Sequence, residues 1–182
     1  MLELLRQRRS IRKFAAEKVA PGKIELLEEA LLRCPTSRNR RPWEFVLVDD
    51  PQLLRQLASA KPQGAGFFAT APLAVVIGAD PQLSDVWVED CAIAALVAQL
   101  AAEQLGLKSC WAQLRLRPHS ASLSASEFVR RLVGLPEGFE VPMVIAIGAP
   151  AEDLAGHTRS SLADAKLHRN RYRTGGDAMS SA

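Results

Sequence analysis

The residues best suited to chemistry in this chain are cations and hydroxyls gathered in three short segments. RQRRSIRKF, Arg6 to Phe14, carries Arg6, Arg8, Arg9, Arg12 and Lys13 around the hydroxyl of Ser10. Arg8 and Arg12 stand four apart and share a face if a first helix extends over them. Two guanidinium forks and a hydroxyl can surround a phosphate with charge-assisted hydrogen bonds. A second basic run, KLHRNRYR from Lys166 to Arg173, can add charge to the same anion or to a ligand held by a partner subunit. The competing reading makes both runs solvated surface. The third segment, PTSRNRRPWEF, sets Thr36, Ser37 and Asn39 between Pro35 and Pro42, directly ahead of a strand. Hydroxyls and amides on a loop pinned by prolines can read the edge of a heteroaromatic ring or a polyol. Trp43 either walls that site or anchors the strand in the core.

Other chemistries find less support. His119, His157 and His168 are far apart, no HExxH motif occurs, and no metal site is expected. GxSxG, Walker A and GxGxxG motifs do not occur, and Gly64 and Gly66 in PQGAGFF read as a turn. Cys34 lies in a loop but has no nucleophile signature around it. No acid–base dyad emerges, so no catalytic side chain is assigned.

The elements that must position these groups follow from pattern. At 182 residues the chain suits one domain over 1–174, with a flexible tail over 175–182. A helix is expected over Met1 to Arg9 with Leu2 and Leu5 inward, and another from Pro21 with Ile24, Leu27 and Leu31 on one face. Strands are expected at EFVLVDD, PLAVVIGAD, KSCWAQLRL and VPMVIAIGAP, with helices opening at Pro51 and at Ser124 or Ser126. Trp87 to Leu105, closed by Gly106, is apolar around most of its circumference and calls for cover from a second subunit. The fold class is α+β or α/β around a modest sheet. A net charge of +3 is too mild for a dedicated nucleic-acid binder, so no nucleic-acid partner is expected. Three widely spaced cysteines suit a reducing, cytoplasmic setting. The longest apolar run, CAIAALVAQLAA, is too short to span a bilayer, and no membrane association is expected.

Taken together, RRSIRKF, PTSRNRRPWEFVLV and VEDCAIAALVAQLAAEQLGLKSCW resemble the nitroreductase family of FMN-dependent oxidoreductases, with a weaker echo at KLHRNRY. The resemblance runs from about Leu2 to Gly148, and the order and spacing match as well as the words. It implies an α+β, three-layer fold with a central, mostly antiparallel sheet flanked by helices, and an obligate homodimer with FMN at the interface. Arg8, Arg9, Ser10 and Arg12 fall on the segment that grips the FMN phosphate and ribityl chain. Thr36, Ser37 and Asn39 fall on the loop that reaches the flavin, with Thr36 and Ser37 coming from the other subunit. Trp111, within Ser109 to Gln113, falls beside the flavin ring, and Lys166 and Arg169 complete the phosphate site. The implied reaction passes hydride from NADPH or NADH to the flavin and then to a small-molecule electron acceptor such as a nitroaromatic or quinone, in a ping-pong cycle. Alternatives are a flavin-binding sensor or carrier, flavin-fragmenting or dehalogenating relatives, and a cofactor-free nucleic-acid binder. Two departures stand out: Thr36 and Arg41 replace the Ser and Gln of the commoner PSSxNxQPW loop, and the segment from Leu114 to Ser126 is compact.

Overall fold

The structure is a computed structural model that describes residues 1–172. The tail expected over 175–182 lies outside the described residues.

Local sequence sets most of the boundaries. Helix α1 spans Leu2–Gln7 and α2 spans Pro21–Leu32, with proline at the first helical position of α2. Strand β1, Trp43–Val48, leads to α3, Pro51–Leu57, whose Asp50 cap accepts from the amides of Gln52 and Leu53. Strand β2, Leu73–Ala79, is followed by α4, Trp87–Gln104. Gly106, at φ 71°, closes α4: its amide bonds to Glu103 O, and that of Leu107 bonds to Ala102 O at 2.8 Å. That pair of bonds is a Schellman stop, and the left-handed backbone explains the glycine. Strand β3 is Lys108–Gln113, α5 is Ala125–Leu132 and β4 is Glu140–Gly148. Ser124, of the two serines expected, caps α5 by accepting from Glu127 N.

The sheet is antiparallel throughout, in the order β1-β2-β4-β3, with Val48 opposite Ala74, Leu73 opposite Ile147 and Gln113 opposite Met143. The central strands are buried on both faces, as their unbroken apolar runs require. One face packs Val76, Val144 and Ala112 beneath Leu57, Phe68 and Val129, under α3 and α5. The other packs Val75, Ile77 and Ile145 against Leu27 and Leu31 of α2 and Cys91 and Ala98 of α4. This gives the expected helix–sheet–helix layering.

Two expectations are corrected. Helix α1 stops at Gln7 because Arg8 turns extended, at φ −62° and ψ 130°, so Arg8 and Arg12 do not share a helix face. The chain is drawn out at Ser10, which bridges to Ser109 in parallel, while Ile11 N bonds Ser109 O at 3.1 Å. Leu2 and Leu5 are also not inward: they are 60% and 47% exposed, beside α4, which itself exposes Ile93 and Leu96.

Candidate functional site

Pairing with Ser109 lays the basic segment along the open edge of β3. Ile11 and Phe14 are its buried anchors, and Arg8, Arg9 and Ser10 are half-buried, with Arg12 exposed. The chain leaving β4 holds it from the other side. Ala15 N bonds Ala149 O at 2.9 Å, Ala151 N bonds Lys13 O at 2.8 Å, and Glu152 Oε1 accepts from Arg12 N at 2.6 Å and Lys13 N at 3.1 Å. The Arg12 amide bond is the main reason the Glu152 carboxyl lies below its ordinary value. One oxygen of Glu152 is thus engaged by backbone amides, and the carboxylate forms no side-chain ion pair among the described residues, although the charges of Lys13 and Arg12 also help to lower it.

Beneath this segment lies the buried thiol of Cys110. Burial pushes its pKa up, while Arg12 and Arg8 pull it down, Glu152 opposes them and Lys61 adds to them. Arg8, Arg12 and Lys61 therefore share one electrostatic neighbourhood. Lys61 donates to Gln113 O at 2.9 Å, and Arg117 Nε donates to Gln113 Oε1 at 2.8 Å. Both cations rest on neutral acceptors. Burial first and Arg117 second push the Lys61 pKa down. They flank an open cleft of about 390 Å³ with Pro62, Gln63 and Pro118, and no carboxylate lines it. Lys61 escaped the sequence reading because SAKPQ carries no motif; only the fold brings it to the end of β3.

Trp111, on β3, is 46% exposed and presents its indole to solvent. Trp43, in contrast, is buried in the core beside Phe45 and anchors the strand, while its edge lines a cleft of about 270 Å³ with Glu28 and Leu32. Cys34 is buried at the end of α2, donates to Ala30 O at 3.5 Å, and has its pKa pushed up to about 11 by burial. It is a quiet structural thiol.

The Thr36–Arg41 loop is tightly shaped. Arg38, Asn39 and Arg41 have φ of 51°, 54° and 48°, left-handed positions without glycine that are interrupted by a right-handed Arg40. Thr36 Oγ1 accepts from Arg41 N at 3.0 Å, Asn39 Oδ1 accepts from Arg41 Nε at 2.9 Å, and Ser37 N donates to Asp90 Oδ1 at 2.9 Å. The Arg41 that departs from the commoner pattern thus engages Asn39 directly. The loop precedes β1, on the sheet edge opposite β3. Three strand spacings, roughly 14 Å, separate the two edges. One chain therefore brings Arg8, Arg12 and Lys61 together but does not bring Thr36, Ser37 and Asn39 to them. Lys166 and Arg169 lie on an exposed C-terminal arm and form no side-chain hydrogen bond or ion pair among the described residues. Arg173, the last of that basic run, lies outside the described residues.

Among the described residues no helix is long and apolar enough to cross a membrane. The sequence profile of the nitroreductase family matches residues 5–149. A protein of Archaeoglobus fulgidus with the provisional name NADH dehydrogenase/NAD(P)H nitroreductase is 33% identical over 156 residues, covering 84% of this chain and 86% of its own. An FMN-dependent nitroreductase from Clostridium difficile superposes with a TM-score of 0.92 at 38% identity, over 94% of this chain and all of its own. The NADPH:FMN oxidoreductase of Vibrio harveyi, 23% identical over 95% of this chain and 78% of its own, shares the fold at a TM-score of 0.74. With the basic segment, the pinned loop and the long helix all in their expected order on the observed sheet, the chain belongs to the nitroreductase family.

Proposed function

We propose that the chain is an FMN-dependent NAD(P)H oxidoreductase that works as a homodimer. The observation that carries this reading is the group of Arg8, Arg12 and Lys61 around Cys110 of β3, where Glu152 bonds to backbone amides and forms an ion pair with none of the three. Guanidinium and ammonium groups that form no ion pair among the described residues, beside a serine hydroxyl, fit a phosphate and an anionic ring edge. Arg8, Arg9, Ser10 and Arg12 would hold the phosphate and ribityl chain, with Lys166 and Arg169 of the C-terminal arm adding charge. FMN, when bound, supplies the hydride chemistry between NADPH or NADH and a nitroaromatic, quinone or similar acceptor.

The protein's share is orientation and charge. Lys61 and Arg12 place positive potential where negative charge would otherwise be costly, which favours the reduced cofactor. The exposed Trp111 indole offers a flat wall to a planar ring. Thr36, Ser37 and Asn39 complete the site from the partner subunit, which explains why one chain sets them on the far sheet edge. The exposed Ile93 and Leu96 of α4, next to Leu2 and Leu5 of α1, form the apolar surface that a second copy covers. The short segment after β3 leaves the pocket open enough to serve donor and acceptor in turn.

The test is a visible spectrum of the protein incubated with FMN and freed of excess ligand. The expected result is about one FMN per chain, bleached anaerobically by NADPH or NADH. Bound flavin that neither donor bleaches would make the protein a flavin-binding module, and a colourless protein would overturn the phosphate-grip argument.

A further inference from the structure

Asp90 is a buried carboxylate with an unusual set of partners. It lies in the first turn of α4 and is 2% exposed. Its Oδ1 accepts from Ser37 N at 2.9 Å and its Oδ2 from Ser84 Oγ at 3.2 Å, and Ser84 is itself 1% exposed. No basic side chain among the described residues forms an ion pair with it. The N-terminal end of α4 supplies the favourable potential that a lone buried carboxylate needs. Such a group is expensive to bury, and an alanine or leucine would pack a helix of this apolar character more cheaply.

What the carboxylate holds is the start of the loop that carries three left-handed residues. Each of Arg38, Asn39 and Arg41 takes a backbone conformation that side chains disfavour. Such a loop persists only where fixed bonds over-determine it. Two of those bonds clamp its ends: Ser37 N on Asp90 at the front, and Arg41 N on Thr36 Oγ1 at the back. Arg40 Nη1 on Leu83 O, at 3.0 Å, ties the middle to the same region before α4. Among the described residues only the Asp90 bond links the loop's backbone to a helix side chain, and it bridges 53 positions of sequence.

We infer that Asp90 is a positioning residue for flavin binding: through Ser37 it fixes the Thr36–Asn39 loop, and so the hydroxyl and amide groups that the loop presents to the cofactor. This rests on the function proposed above. Because α4 also carries the apolar face assigned to the second subunit, the same side chain ties the loop to the helix against which the partner's site is built.

The test compares Asp90→Ala and Asp90→Asn with Val129→Ala, a buried substitution on α5 in the other core. Asparagine keeps an oxygen to accept from Ser37 N and an amide that Ser84 Oγ can accept from, so it should rescue in part. The first readout, taken without FMN, is amide hydrogen exchange over residues 36–41. Asp90→Ala is expected to accelerate exchange there by about tenfold, Asp90→Asn by about threefold or less, and Val129→Ala not at all, the loss being that of one buried charged acceptor. The second readout is FMN affinity. Asp90→Ala should weaken it by about tenfold, while Val129→Ala should lower the melting temperature and leave affinity within about twofold. Unchanged exchange in Asp90→Ala overturns the inference, as does an affinity loss no larger than that of Val129→Ala. A parent protein that binds no FMN overturns the proposed function instead, and the exchange result still decides whether Asp90 holds the loop.

Discussion

Gly156 is where the C-terminal arm meets α1, and a single methyl group tests that contact. A Cβ on Gly156 would lie 1.7 Å from Arg6 O and 2.8 Å from Arg6 C. Ordinary contact begins near 3.5 Å, so the two backbones would have to part by about 1.8 Å. Both sides are main chain, and no rotamer relieves the clash. Overpacking of this kind costs about 1–3 kcal/mol. At about 2–4 °C per kcal/mol for a chain of this size, Gly156→Ala should melt about 2–12 °C lower than the parent. Gly66→Ala is the control, because a Cβ there meets nothing within 4 Å. It should shift stability by less than about 0.5 kcal/mol. Since Arg6 leads within two residues to Arg8, the displacement should also weaken FMN binding in Gly156→Ala and not in Gly66→Ala. Thermal melts without FMN, followed by flavin titration, separate the two effects. If Gly156→Ala melts with Gly66→Ala, the arm does not rest on α1 in solution. If it melts lower but binds FMN as the parent does, the arm's packing and the cationic segment are independent.

Other expectations follow from the same geometry. Arg12→Ala should weaken FMN binding by about tenfold or more through the loss of a charge-assisted contact, whereas Arg6→Ala should change it by less than about twofold, Arg6 pairing only with exposed Glu3; equal losses in a fluorescence titration would count against the assignment. Glu152 is held below its ordinary value of 4.5 in the folded protein, chiefly by the Arg12 amide. Its contribution is therefore present above 4.5 and lost as pH falls through the lowered folded value. Melting temperatures of the parent and Glu152→Gln should differ most near neutrality and converge in acid, and a gap that widens on acidification would contradict the bond. Burial raises Cys34 to about 11, burial and Asp90 raise Cys91 to about 12, and Cys110 is also raised. A thiol reagent at pH 8 should therefore label the folded protein slowly and all three cysteines quickly once it is denatured; a fast thiol in the native state would show that burial does not govern them.

Much of this fold could be read along the chain because its signals are local. Pro21, Pro51 and Ser124 start helices by their own stereochemistry, Gly106 stops one, and the runs around Val75 and Ile145 are too apolar to lie anywhere but the middle of a sheet. The misreadings came where a distant partner overrode a local pattern. Arg8 and Arg12 suit a helix by spacing, yet Ser10 finds Ser109, 99 positions later, and an edge-strand bridge outweighs one more turn of a six-residue helix. Leu2 and Leu5 looked like core because they are apolar at helical spacing, but periodicity does not say whether the covering surface belongs to the same chain. Lys61 stands in no motif, and Asp90, although inside the VEDC stretch, carries no assignable role in sequence, since their contacts are with Gln113 and Ser37, 52 and 53 positions away. The Arg6–Phe14 segment stands out in sequence because the phosphate grip proposed for it would be built from neighbours. A charge that tunes a ring, or a carboxylate that holds a loop, acts from wherever the fold happens to bring it, and only the fold reveals it.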